Sequence, residues 1–155
     1  MRIQLNDAEM RLAKHIAIER TKHNQSRNYS NKNQSGRNDL TIGTQGIEGE
    51  IAVCKHFNLY PDLVTDKPQK HDIVIHGHTF DIKTTEKSHF LNVAHWKSNN
   101  PCDFYALVIK DKNNFTLAGH VSKEGLFDAQ NLKQGERGLY WRIHKSKLTP
   151  FKGDL

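Results

Sequence analysis

Asp72-Ile73-Val74-Ile75-His76-Gly77-His78-Thr79-Phe80-Asp81-Ile82-Lys83 is the stretch that decides how this chain folds. Apolar and polar residues alternate on both sides of a short turn signal, the pattern of a hairpin with one buried face. A two-residue loop at Gly77-His78, with Gly first as a type II′ turn prefers, sets His76 opposite Thr79, Val74 opposite Asp81 and Asp72 opposite Lys83. Ile73, Ile75, Phe80 and Ile82 then share one face, and Asp72, Asp81 and Lys83 share the other. Two carboxylates converging there repel, and a divalent cation between them relieves the repulsion. Lys83 adds an ammonium beside the same point. Hard oxygen ligands plus an ammonium that can orient a water or offset phosphorane charge are the parts of a metal-assisted phosphodiester hydrolase. The rival reading of the same cluster is an ordinary cross-strand salt bridge.

Upstream of the hairpin the period is helical. Asn6 or Asp7 can cap a first helix carrying Ala8, Leu12 and Ile16 at four-residue steps, which ends near Glu19 or Arg20. Arg20, Lys22, Arg27, Lys32 and Arg37 then fall in a stretch without acids, rich in Asn, Gln and Ser, and a mobile basic loop is expected at about 21–38. That loop is either a solvated linker or a phosphate-contacting arm. Leu40 to Phe57 reads as a second helix with Ile47, Ile51 and Cys54 on its apolar side. Gly43, Gly46 and Gly49 each weaken it by about 1 kcal/mol relative to Ala, so a close backbone approach is expected, by a ligand or by a packed sheet.

Downstream, Leu63 to Thr65 reads as a short strand before the hairpin and Leu91 to Ser98 as a helix. Strands are expected at Phe104 to Lys110, Phe115 to Val121 and Leu139 to Ile143, with a short capped helix at Ser122 to Phe127. This order predicts a single α/β domain over 1–155, with a mixed central sheet flanked by helices. Trp96, Tyr140 and Trp141 are either core residues or bases' stacking partners.

Composition narrows the function. Leu, Ile, Val and Phe make up 37 of 155 residues, above the roughly 20% below which chains stay disordered, so a thin core can form. No apolar run approaches the ~20 residues of a membrane span, and the first residues lack a signal segment. Cys54 and Cys102 form no C-x-x-C pair, which points to a reducing, cytoplasmic setting. A formal charge of +6 and a pI near 9.3 favour a polyanionic partner, DNA first. His71, His76 and His78 lack the cysteine partners of a zinc motif, and no phosphate-binding glycine motif supports a nucleotide cofactor.

Three pieces resemble the restriction-endonuclease-like, or PD-(D/E)xK, nuclease superfamily, in particular its small prokaryotic and phage members: Gly46-Ile47-Glu48-Gly49-Glu50-Ile51-Ala52, Asp72-Ile73-Val74-Ile75 and Asp81-Ile82-Lys83-Thr84-Thr85. The resemblance covers roughly Thr41 to Lys110 and implies an αβββαβ core with Leu63 to Thr65 as first strand. It implies that Glu50, Asp72 and Asp81 bind Mg2+ or Mn2+ with the carbonyl of Ile82, and that Lys83 is the catalytic lysine. The implied activity is metal-dependent DNA endonuclease cleavage, and a homodimer is compatible with it. His71 replaces the proline that gives the family its name, and no Gln-x-x-x-Tyr motif follows the lysine, which disfavours exonuclease branches. Glu48 competes with Glu50, because residues two apart on a helix point about 160° away from each other; Glu50, flanking the buried side, is preferred. The alternative from another class is a non-catalytic nucleic-acid-binding module on the same fold.

Overall fold

The computed structural model describes residues 1–26, 39–64 and 71–152. It is a mixed α/β structure in three layers. A five-stranded mixed sheet lies in the middle, in the order β1 (Arg2–Gln4), β6 (Asn114–Ser122), β5 (Phe104–Asp111), β3 (His78–Thr85) and β2 (Ile73–Ile75). Helices α1 (Asp7–Ser26) and α2 (Asp39–His56) cover one face, packing Ala13, Ile16, Ile47, Ile51 and Cys54 onto Ile73, Ile75, Phe80, Ile82, Ala106 and Val108. On the other face sits an antiparallel three-stranded sheet, β4 (Phe90–Ala94), β8 (Gly138–His144) and β7 (Leu132–Gly135). A second core joins the two sheets through Leu91, Val93, Tyr105, Leu107, Trp141 and Ile143. The short α3 (Lys123–Leu126) is capped by the Ser122 hydroxyl, which accepts from Gly125 N–H. Among the described residues no helix is long and apolar enough to cross a membrane.

Local chemistry explains the elements. Asn6 and Glu9 form a reciprocal capping box: Glu9 N–H donates to Asn6 Oδ1 at 2.8 Å and Asn6 N–H to Glu9 Oε2 at 2.7 Å. The cap starts α1, which runs through Ser26, past its expected end near Arg20. Straight-chain Lys and Gln keep helix propensity after the apolar stripe stops. Arg20 and Lys22 are thus helical, while Arg27, Lys32 and Arg37 lie outside the described residues. Gly49 meets the sheet: a Cβ there would fall 1.8 Å from Thr84 Oγ1, so the glycine serves close helix-to-sheet packing.

Three expectations are corrected. Leu63 and Val64 form no strand; Arg20 instead ties this segment down, donating to the carbonyls of Val64 and Asp62 at 3.1 and 3.2 Å. The helix expected at Leu91 to Ser98 is strand β4 followed by a 3-10 helix, His95–Asn99. Leu91 and Val93 are buried around exposed Asn92, a period-two burial that only a strand gives. The hairpin loop is His76-Gly77, with φ of 49° and 81°, the two positive values of a type I′ turn. Val74 therefore faces Thr79 and Ile73 faces Phe80, two residues away from the expected pairing. An even shift leaves every side chain on its expected face.

Candidate functional site

Strand β3 carries the site because its alternation sends Phe80 and Ile82 into the helical layer and Asp81 and Lys83 toward the second sheet. Asp81 pairs in register with Tyr105 and Lys83 with Leu107, both members of the inter-sheet core. Asp81 is only 2% exposed. Both of its oxygens meet ammonium groups: Lys83 Nζ lies 2.5 Å from Oδ1 and Lys97 Nζ 2.5 Å from Oδ2. Asp72, just before β2, donates its N–H to Phe80 O at 2.8 Å, and its Oδ2 accepts from Ile82 N–H at 2.7 Å. The two carboxylates thus flank the backbone of Ile82.

Electrostatics differ among these groups. Burial disfavours a charged Asp81, but the ammoniums of Lys83 and Lys97 outweigh it and hold the carboxyl below its ordinary range. Burial likewise works against charged Lys83, yet Asp81 and then Asp72 raise its pKa well above that of a free lysine. Lys97 goes the other way: burial and the neighbouring Lys83 charge lower it, only partly offset by Asp81. Beside them, burial pushes the Cys102 thiol up to about 11, with Asp81 and Asp72 adding to the shift, so it stays protonated near neutral pH. Cys54 is buried in the helical core, as a small apolar residue. Neither cysteine is in a disulfide.

The sequence-derived residues divide. Asp72, Asp81, Lys83 and the Ile82 backbone come together. Glu50 lies on α2, its Oε2 3.7 Å from Arg20 Nη1. Glu48 is buried instead and holds Lys110 Nζ at 2.5 Å. Arg20, expected to meet phosphate, is committed to Glu50, Val64 and Asp62, whereas Lys22 is exposed beside Glu19. Among the described residues no three His, Cys, Asp or Glu side chains form a ready ligand set. Lys97 was missed by sequence reasoning, being 16 residues from Asp81 in a segment read as helix. The alternation of Leu91 and Val93 around Asn92 was the available signal, since it places a strand end, and hence a turn, next to Lys97.

The family is settled by a match over residues 1–118. The chain belongs to the family of unknown function DUF5843. The DUF5843 match spans Asp72, Asp81, Lys83 and Lys97, while β7 and β8 lie beyond it. No curated protein and no solved structure matches the chain.

Proposed function

We propose that the protein is a metal-dependent nuclease hydrolysing DNA phosphodiester bonds at Asp72, Asp81 and Lys83, with the restriction-endonuclease-like core as its ancestry. The observation that carries this reading is the convergence of two carboxylates and a lysine on one face of the β2–β3 hairpin, with Asp81 buried and its Lys83 partner at 2.5 Å. The donor set fits a hard divalent ion. Asp72 and Asp81 are hard oxygen donors side by side, and Mg2+ commonly takes only one or two protein carboxylates beside phosphate oxygens and water; an ion at Asp81 would share its oxygens with the Lys83 and Lys97 ammoniums. Asp72 and Asp81 would hold Mg2+ or Mn2+, which when bound supplies charge neutralisation at the phosphate and a more acidic water.

The chain's own residues divide the remaining work. Lys83, driven toward its protonated form, presents a fixed ammonium where negative charge grows on the phosphorane. Lys97, 2.5 Å from the other Asp81 oxygen, brings a second ammonium to the same point. Asp81 orients both. The formal charge of +6 favours the polyanionic substrate. The Glu50–Arg20 pairing favours a second reading, a nucleic-acid-binding module without catalysis.

One experiment separates them: incubation with supercoiled, linear, branched and single-stranded DNA in Mg2+, Mn2+ or EDTA, for wild type and Lys83→Ala. Cleavage that needs the metal and drops by roughly two orders of magnitude or more in Lys83→Ala, with binding retained, is the expected result. Lys83→Arg should not restore it, because a planar guanidinium does not replace a compact ammonium. Equal rates with and without Lys83 would sink the mechanism.

A further inference from the structure

The three-stranded sheet has a second face that the proposed chemistry does not use. Leu91, Val93, Trp141 and Ile143 point inward, so alternation turns Phe90, Asn92 and Ala94 of β4 and Tyr140, Arg142 and His144 of β8 outward. They pair across the strands as Phe90 with His144, Asn92 with Arg142 and Ala94 with Tyr140. Arg142 lies flat over this face, its guanidinium 4.5 Å from the Phe90 ring and 5.5 Å from the Tyr140 ring, and its Nε donates to Asn92 Oδ1 at 2.9 Å. Lys133 of β7 adjoins Tyr140 in register. Just past β4, His95 stacks on the inner Trp141, and Trp96, 58% exposed, sets its ring 5.9 Å from the Nζ of the Lys97 that reaches Asp81, at the end of this sheet toward the carboxylate.

The charge of this layer is one-sided. Strands β4, β7 and β8 and the 3-10 helices His95–Asn99 and Lys145–Lys147 carry Lys97, Lys133, Arg142, Lys145 and Lys147, and the β7–β8 turn adds Glu136 and Arg137. Six basic residues against one acid make this layer complementary to a polyanion.

We infer that this outer face, continued at its end by Trp96, is a docking surface for a single strand of nucleic acid, with unpaired bases stacking on Tyr140, the Phe90–Arg142 pair and Trp96, and phosphates meeting Lys133 and the lysines just past β8. Aromatic rings and guanidinium planes on an open sheet offer stacking to bases that are splayed apart. A duplex hides those base faces and would use only the charges. The inference names the substrate class of the proposed nuclease and rests on that reading only for the strand's fate, since binding is measured without cleavage.

Affinity is measured in EDTA by anisotropy of labelled oligo-dT and oligo-U of about 12 nucleotides, within the span one stacking platform covers, and of a matched duplex. Intrinsic fluorescence adds a direct reading, because of the two tryptophans Trp141 is 7% exposed and Trp96 is 58% exposed. A single strand is expected to quench Trp96 and to bind at least about tenfold tighter than duplex. Trp96→Ala and Tyr140→Ala should each weaken it about fivefold or more, the lower range for loss of one base stack. The tighter of dT and U identifies the natural strand. Equal affinity for duplex, or unaltered affinity in both variants with their melting curves intact, would overturn the inference. The same oligonucleotides in Mg2+ report separately on cleavage: binding without cutting fails the nuclease alone, and cutting unaffected by both variants fails the docking surface alone.

Discussion

Lys97, in the 3-10 helix after β4, and Asp81, in β3 of the other sheet, lie 16 residues apart, yet Lys97 Nζ stands 2.5 Å from Asp81 Oδ2. The contact ties the turn after β4 to the middle of β3, while Lys83 holds the other oxygen from within β3. One carboxylate therefore answers two ammoniums.

That ratio sets an order of stabilities. Asp81→Asn leaves Lys83 and Lys97 facing each other with only Asp72 to offset them and should destabilise by about 2–3 kcal/mol, less than the roughly 3–5 for a fully buried broken pair, because both lysine heads keep some solvent. Lys97→Met still leaves Asp81 paired and should cost about 1 kcal/mol or less. Because Asp81's folded pKa is depressed, its contribution is present above about pH 4 and is lost as the pH falls through the lower folded value. Urea unfolding at neutral pH checks the order, and an Asp81→Asn variant as stable as wild type would refute it.

The buried Glu48–Lys110 pair leads to a different outcome. Lys110 and Glu48 side chains are only 17% and 5% exposed, so Glu48→Gln strands a buried ammonium and should destabilise by about 3 kcal/mol. Replacing both, as Glu48→Leu with Lys110→Met, should be nearly neutral or stabilising, because apolar packing carries no desolvation cost. Denaturant midpoints of the single and double variants decide it; a double variant worse than Glu48→Gln would show that the pair contributes net stability.

The hairpin's two faces were legible in the residues because alternation has a period of two, and an error of two in register does not change which side chains meet. That is why Asp72, Asp81 and Lys83 were grouped correctly although Val74 pairs with Thr79 and not Asp81. The second sheet was not legible: β4 is five residues long and runs into a 3-10 helix, so its two buried positions were submerged in a longer apparent helix. β1, three residues long, is too short to show any period, and its pairing with β6 at the far end of the chain is purely tertiary. The helical acids were hard to place for a topological reason. Helix α2 packs on the face opposite Asp81, and helix phase alone does not say on which side of a sheet a helix will lie.

Gly49→Ala would raise intrinsic helix propensity by about 1 kcal/mol, but its Cβ would fall 1.8 Å from Thr84 Oγ1. Overpacking should win, with a net loss of about 1–3 kcal/mol. Adding Thr84→Ala removes the hydroxyl and should recover much of that loss. Gly46→Ala, where a Cβ meets nothing within 4 Å, should stabilise. Thermal melting of the three variants tests this, and a Gly49→Ala protein more stable than wild type would mean that the helix stands farther from β3.

His120 makes stability depend on pH below 6.5. It is 8% exposed, neither ring nitrogen has a hydrogen-bond partner among the described residues, and Phe80, Phe104 and Phe151 surround it at centroid distances of 6.0, 5.5 and 5.1 Å. Burial lowers its pKa below the ordinary 6.5. Between the lowered folded value and 6.5, the unfolded chain binds a proton that the folded chain refuses, so stability falls as the pH drops through that window. The slope is at most about 1.4 kcal/mol per pH unit for one such group. His56, also lowered by burial, adds a similar but separate contribution. His120→Phe keeps the aromatic packing, removes the titrating ring and should be as stable as wild type or more so at pH 7, with the advantage growing toward pH 5.5. Unfolding free energies of the two proteins across that range isolate His120 from His56, because His56 is common to both. Parallel curves would show that His120 finds a partner for its proton in the folded state, and that the ring of phenylalanines opens to admit water.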